Sequence, residues 1–280
     1  MGIVEIDADH TPSTGSGATT GRYGDGSGLA VTSDVIALQL AHRSVRKFTS
    51  DDVSEDQLRA LVAAAQSAPT SSNLQAWSVV AVRDPERKRR LATLAGGQGF
   101  VDHAPVLLVW VADLSRARRL AARSGLAVDA TDYLETTIIG FVDAALAAQN
   151  AVVAAESLGL GSTYVGAIRN HPREVAAELG LPDGAVATFG LAVGVPDPSE
   201  DAGVKPRLPQ GAVLHHETYD AEAADAHLPA YDERLGAYNG RHGLTGVWTE
   251  RVLQRLAGPS SMAGRHVLRE VLTDLGLRSR

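Results

Sequence analysis

The sequence predicts an α+β layer fold, and two observations carry that expectation. Strand and helix patterns alternate without the steady rhythm of a doubly wound parallel sheet. Helical patterns gather toward both ends of the chain. Long helical patterns also follow the last strand, as arms that need a partner to cover them, which makes a dimer the natural assembly.

The elements follow in order. Residues 1–32 are rich in Gly, Ser, Thr and Asp, and such a segment buries too little to offset its ordering entropy, so a mobile tail is expected. The folded body, residues 33–280, begins at Ser33, an N-cap for an apolar run from Val35 to Leu40. Ser54 and Gln57 form a capping box ahead of Leu58, Leu61 and Val62 at helical spacing, and Pro69 stops that helix. Trp77 to Val82 reads as a strand. Pro85 opens a charged helix through Leu94, ended by Gly96-Gly97. Val106 to Ala112 reads as a buried strand. Residues from about Thr131 to Leu158 form one long helix, apolar round most of its circumference and rich in Ala, as in a domain centre or a subunit interface. Gly159 and Gly161 are expected to terminate it. Ser162 to Val165 ends a strand, Pro172 to Leu179 is a helix stopped by Gly180, and Val186 to Val195 is a strand broken by Gly190 and Gly194. A Pro-rich stretch runs to Val213, and helical patterns occupy 220–239, 247–257 and 263–275.

Composition narrows the function. With 44% hydrophobic residues the chain of 280 can bury a sizeable core. A net charge of −7 argues against a general nucleic-acid binder. The chain has no Cys, which excludes disulfides, thiolate nucleophiles and Cys-based zinc sites and makes a reducing cytoplasm the simplest home. No apolar run approaches the ~20 residues of a membrane span, and no signal-peptide pattern opens the chain.

Against that acidic background three segments stand out: His42-Arg43-Ser44-Val45-Arg46, Pro69-Thr70-Ser71-Ser72-Asn73-Leu74-Gln75 and Lys205-Pro206-Arg207-Leu208-Pro209. Guanidinium groups grip phosphate bidentately and Lys adds a point charge. Hydroxyls and amides hydrogen-bond a polar ring or a sugar alcohol. Taken singly, each segment also reads as a solvated surface loop, although Pro206 and Pro209 give the third a fixed shape. Gly159 to Gly166 departs from the dinucleotide fingerprint, because a strand follows the first glycines where a helix should. No P-loop, HExxH pair or GxSxG elbow is present, and His215-His216 would face opposite sides of a strand, which makes a metal site improbable. Cations, hydroxyls and amides with no evident nucleophile, metal or acid–base dyad imply that a bound cofactor carries the chemistry.

Five stretches in order, HRSVRKF, SAPTSSNLQ, AGGQ, AAQNAVVAAESLGLGSTYVGAIRN and KPRLP followed by AVLHHETY, resemble the oxygen-insensitive NADPH-dependent nitroreductases and FMN reductases, in their larger, NADPH-preferring branch. The resemblance implies a three-layer fold, a central mainly antiparallel sheet flanked by helices, in an intertwined homodimer with noncovalent FMN at the interface. It implies that His42, Arg43, Ser44 and Arg46 hold the phosphate and ribityl end and that Lys205 and Arg207 close on the same phosphate. Thr70, Ser71, Ser72 and Leu74 would line a loop given by the second subunit, and Gln98 would meet the ring's polar edge. Tyr164, Val165, Gly166 and Ala167 would run along the isoalloxazine. Arg169, Asn73, Arg241 and Arg265 would lie on the substrate and NADPH side. The chain departs from the family pattern at Asn73, where a bulky apolar residue is usual, and in a shortened 238–248 region that keeps only Arg241 and His242. The implied activity is ping-pong, two-electron reduction of nitroaromatics, quinones or flavins by NADPH, with NADH an open alternative, and with the flavin rather than a side chain as the catalytic group. Dehalogenation, flavin breakdown or flavin binding without turnover remain the alternatives on the same fold. Nucleic acid, membrane and metal are not expected partners.

Overall fold

A computed structural model describes residues 22–23, 29–201 and 203–280. The expected tail, 1–32, lies mostly outside the described residues. Within it Arg22 and Tyr23 are helical, and Arg22 is buried. The chain divides into two compact units, Met1–Arg43 with Ala202–Leu253, and Ser44–Asp201 with Gln254–Arg280.

The larger unit is built on a four-stranded sheet in the order β1-β2-β4-β3, with β1 Trp77–Val82, β2 Val106–Asp113, β3 Gly161–Val165 and β4 Ala185–Gly194. All three pairings are antiparallel. The uninterrupted apolar run of β2 is explained by its place: it is central, and all eight residues are buried. Alternation sends Val106, Leu108 and Trp110 to one face, and Leu107 and Val109 to the other. On the first face lie α2 (Glu55–Gln66) and α6 (Leu134–Ser157); on the second lie α3 (Pro85–Leu94), α4 (Gly99–His103) and α7 (Pro172–Leu179). The three expected layers are therefore present. Trp110 is fully buried and tilts against Trp77 at 5.4 Å between ring centroids; full burial of a large apolar side chain contributes about 1.5–3 kcal/mol. A smaller cluster at the sheet end brings Leu277 and α11 (Leu268–Asp274) onto Ala76, Ala112 and Val186.

The local signals explain the helices. Ser54 and Gln57 make the reciprocal capping box of α2, and Asp84 caps α3, with Pro85 in its first turn. Helix α2 ends at Gln66, ahead of Pro69, because the residue before a proline avoids the helical region. Helix α6 buries its small residues, Gly140, Ala144, Ala147, Ala148, Ala151 and Ala155, which lets it lie close to the sheet. Its Leu134, Ile138, Val142 and Leu146, four residues apart, stand exposed. By length and composition α6 could cross a membrane; in the fold one of its faces packs on the sheet and another is exposed.

Several expectations are corrected. Gly159 ends α6 at φ +76°, but Gly161 opens β3, where a Cβ would lie 2.7 Å from Val45 Cγ2 and 2.9 Å from Pro196 Cγ. Gly190 lies inside β4 without breaking it, and Gly194 is its last residue, where Pro105 and Phe48 leave no room for a side chain. Helix α5 (Ser115–Ser124) and helix α4 were not foreseen. His215 and His216 occupy a loop, not a strand, and His215 Nδ1 accepts from the Asp220 N–H.

The smaller unit contains α1 (Asp34–Leu40), capped by Ser33 Oγ on the Ile36 N–H. It also contains α8 (Ala221–Asp225) and α9 (Leu228–Arg241), and the chain enters α10 (Trp248–Leu256) before the unit ends. The single pattern expected at 220–239 is two helices, because Pro229 sits in the first turn of α9 and cannot continue α8. Tyr231, Leu235 and Tyr238 form this unit's core, with Leu208 and Trp248 packed on it. The pattern at 263–275 starts as a 3-10 turn, Arg265–Val267, and becomes helical only at Leu268.

Candidate functional site

In the smaller unit the segments containing His42-Arg43 and Lys205-Pro206-Arg207 are held together by Arg22. Its guanidinium donates to Leu40 O at 2.8 Å, His42 O at 2.6 Å and Lys205 O at 3.0 Å. In return Arg22 O accepts from the Arg207 N–H at 2.9 Å. A rigid five-donor fork suits this task, since one side chain can satisfy several carbonyls at fixed angles. Two tyrosines of α9 complete the arrangement: Tyr231 Oη donates to Pro206 O and Tyr238 Oη to Gly203 O. The Lys205 ammonium lies 5.7 Å above the Tyr238 ring centre. Carbonyls on both segments are thus occupied by donors, and Arg207 stands exposed. Arg22 was missed from the sequence because its neighbours are Gly, Ser and Thr and carry no element pattern. Arg241 is exposed in the last turn of α9.

In the larger unit the rest of the first basic segment runs beside β3. Ser44 bridges Ser162, and the Val45 N–H donates to Ser162 O at 2.9 Å. Glu200 Oε1 accepts from the Arg46 N–H at 2.7 Å, and the Arg46 side chain is exposed. Strand β3 ends at Val165 and turns into a 3-10 segment, Gly166–Asn170. A Cβ on Gly166 would lie 3.5 Å from Arg169 Nη2 and 3.9 Å from Arg265 Nη1, so the bare backbone faces two guanidinium groups. Arg169 donates to Thr188 O, and Arg265 Nε to Met262 O. Neither pairs with a carboxylate among the described residues. Burial, and then the charge of Arg265, lowers the Arg169 pKa from its usual value; burial, and then Arg255, does the same for Arg265. Tyr164 sets its ring edge-on to Phe189 at 5.2 Å, and burial followed by the charge of Glu156 raises its phenol to about 12. Ala167 packs against the second sheet face.

The loop after α2 has an unusual backbone. Ser72, Asn73 and Gln75 all have positive φ, at +48°, +56° and +51°. Each left-handed non-glycine residue costs roughly 1–2 kcal/mol, so surrounding groups must hold them. Thr70 O accepts from Asn73 N and Ser71 O from Leu74 N. Asp143, 1% exposed on α6, accepts from Ser71 N at 3.1 Å and Ala76 N at 3.0 Å. Arg116 donates to Gln75 O at 3.0 Å. Ser71, Ser72, Asn73 and Leu74 are exposed, and Thr70 is half-buried. A cleft of about 650 Å³ lies against this loop, lined by Asn73, Leu74, Gln75, Leu120 and Val128; it contains none of the expected phosphate-binding cations. Gln98 precedes α4 and donates its side-chain amide to Ala95 O.

The expected residues therefore fall into two sets. His42, Arg43, Lys205, Arg207 and Arg241 belong to the smaller unit. Ser44, Arg46, Thr70 to Leu74, Gln98, Tyr164 to Ala167, Arg169 and Arg265 belong to the larger. The smaller set offers cations around carbonyls that are already occupied; the larger offers the guanidiniums of Arg46, Arg169 and Arg265 and the exposed hydroxyls of Ser71 and Ser72. This donor chemistry fits a phosphorylated, polar-edged cofactor such as FMN, and the uncovered backbone at Gly166 suits the close approach of a flat ring.

Comparison with known proteins gives the same direction. The sequence matches the Nitroreductase family over residues 40–98 and 93–195, and the Nitroreductase family, C-terminal domain, over residues 205–280. It is 38% identical to the FMN reductase [NAD(P)H] of Bacillus subtilis over 247 residues, covering 88% of this chain and 98% of that one. It is 41% identical to the FMN reductase (NADPH) of the same organism over 224 residues, covering 76% and 88%. The solved structure of the hypothetical oxidoreductase YcnD from Bacillus subtilis superposes with a TM-score of 0.84 at 37% identity, covering 89% of this chain and all of that one.

Proposed function

The chain belongs to the nitroreductase family, and from that premise we propose that it is an NADPH-dependent flavin oxidoreductase that holds FMN and reduces nitroaromatics, quinones or free flavin. The observation that carries this reading is the seating of Ser44 and Arg46 alongside β3, whose far end opens at Gly166 onto the guanidiniums of Arg169 and Arg265. One edge of the larger unit thus runs from a basic segment to a bare backbone turn. That spacing of functions is what a long molecule with a phosphate at one end and a ring at the other requires.

Bound FMN supplies two-electron chemistry between NADPH and an acceptor. The chain supplies binding, orientation and field. In each unit the basic segment suits the phosphate and ribityl end, Ser44 and Arg46 in the larger and His42, Arg43, Lys205 and Arg207 in the smaller; paired guanidiniums on a dianion would make charge-assisted hydrogen bonds. Tyr164, Val165, Gly166 and Ala167 flank the ring, and Gln98 turns to its polar edge. The Tyr164 phenol stays neutral at working pH, so it acts as cover and donor and takes no proton. Arg169 and Arg265, close together and without a carboxylate, favour negative charge building up on the ring side and draw in an anionic nicotinamide nucleotide. Asn73 and Arg241 lie on the substrate and NADPH side. No side chain is assigned as catalytic acid or base.

A second copy of the chain completes the site in this reading. The exposed stripe of Leu134, Ile138, Val142 and Leu146 on α6 is the surface that the homodimer covers. Thr70, Ser71, Ser72 and Leu74 then serve the partner's flavin.

The test is the visible spectrum of the purified holoprotein, followed by rapid mixing with NADPH. A flavin band that bleaches with NADPH and returns with a quinone, in ping-pong kinetics, is the expected result. A colourless protein that takes up no FMN, or a yellow one that NADPH leaves unbleached, would remove the reductase assignment.

A further inference from the structure

We propose that Asp143 is a positioning residue, which sets the Thr70–Gln75 loop in its flavin-facing shape before any ligand arrives. The inference rests on the reading that this loop lines the flavin pocket, and it adds the device that shapes it.

Three of the four residues from Ser72 to Gln75 hold left-handed backbone, and none of the four is glycine. Asn tolerates that region; Ser and Gln gain nothing from it. All four are exposed, so no packing from above holds them there. Within the loop Thr70 and Ser71 oxygens accept from the N–H groups of Asn73, Leu74 and Gln75; the rest of the hold comes from below. Asp143 is 1% exposed, in the middle of the longest helix, and each carboxylate oxygen takes one N–H, Oδ1 from Ser71 and Oδ2 from Ala76. These two amides bracket the strained residues. The opposite polarity of the loop's exit is fixed separately: Asp113 N donates to Ala76 O and Arg116 donates to Gln75 O. Among the described residues Asp143 has no cationic partner, so the two backbone amides are its compensation. A buried carboxylate without a cation is costly unless its hydrogen bonds are well made. The neutral isostere cannot replace it. Asn offers one acceptor and turns an NH₂ toward the other N–H.

The side chain does not reach the loop's exposed atoms, so its action is indirect. It converts a segment that would sample many shapes into one that presents its hydroxyls and Leu74 in a single arrangement, which lowers the ordering cost of binding.

The experiment uses the full chain and FMN as probe. Asp143→Asn should speed hydrogen exchange at the Ser71 and Ala76 amides and weaken FMN by roughly tenfold, the loss of one charge-assisted hydrogen bond. In a background carrying Ser72→Gly, Asn73→Gly and Gln75→Gly, where left-handed backbone is free of strain, the same change should cost clearly less FMN affinity. Equal penalties in the two backgrounds, or freed amides with unchanged FMN affinity, would overturn the proposal. A second pair covers the case in which Asp143→Asn does not fold. Ser71→Ala and Ser71→Pro both lack the hydroxyl, but only the proline also lacks the N–H that Asp143 accepts, so FMN should bind the proline variant more weakly; equal binding would overturn the proposal. If Leu74→Gly and Ser71→Ala leave FMN affinity untouched while the holoprotein still bleaches with NADPH, the loop is not at the flavin, and the underlying reading fails rather than the clamp.

Discussion

The segment around Lys205-Pro206-Arg207 and the loop from Thr70 to Gln75 are both irregular, exposed and polar, yet they are held by buried charges of opposite sign. In the first, the cation Arg22 and two tyrosine hydroxyls donate to carbonyls. In the second, the anion Asp143 accepts from amides. The difference teaches how a buried clamp sets the character of the surface above it. Where carbonyls are consumed from within, what remains outward is cationic and donor-rich. Where amides are consumed, what remains is hydroxyls, an amide side chain and an apolar tip.

The largest expected effect breaks the first clamp. Arg22→Ala removes a guanidinium that serves three carbonyls, and buried hydrogen bonds to a charged group contribute about 1.5–3 kcal/mol each. Chemical denaturation should show a loss of at least ~3 kcal/mol, together with loss of FMN binding. Arg22→Lys should recover only part, because an ammonium lacks the planar fork. A variant as stable and as yellow as the parent would show that the clamp is incidental.

A smaller effect probes the surface the clamp presents. Lys205→Ala and Arg207→Ala should each weaken FMN by ~1–3 kcal/mol without the stability loss of Arg22→Ala. Equilibrium titration by flavin fluorescence checks this, and the comparison collapses if both variants bind FMN normally.

Next comes the corner at Gly166, which has two cations and no clamp of opposite sign. Arg265→Gln removes a like charge beside Arg169 and should raise the melting temperature of the apoprotein slightly, while raising KM for NADPH more than it changes kcat. A lower melting temperature with unchanged KM would mean that Arg265 is a structural residue.

The smallest effect lies at Tyr164. Its pKa is raised to about 12, by burial first and then by the charge of Glu156. The unfolded chain ionises this phenol near pH 10 while the native one stays neutral, so stability should fall as the pH rises from about 10 toward 12. Tyr164→Phe should flatten that fall. An unchanged alkaline profile would show that Tyr164 contributes nothing to it.

The fold was legible wherever one local rule decided the outcome. The short apolar run of β2 reads as a strand buried on both faces, and the capping box at Ser54 marks the start of a helix. Gly161, Gly190 and Gly194 misled, because a glycine that ends an element and one that admits a neighbour's side chain look alike until the neighbours are known. Helix α5 was hidden because SRARRLAARS buries only Ser115 and Ala121. The basic and hydroxyl-rich segments were visible as candidates from residue type. Arg22 and Asp143, the residues that shape them, were not.

By itself the chain of residues determined most of the strands and the capped helices, which basic segments stand as candidates for a phosphate, and the family to which the protein belongs. Those follow from short-range rules and from motifs whose members stand together. Tertiary structure alone decided which buried charge stands under which loop. Arg22 meets Lys205 O from 183 residues away, and Asp143 meets Ser71 N from 72. Hydrogen-bond partners at that separation are chosen by how the layers pack, and no local pattern encodes the choice.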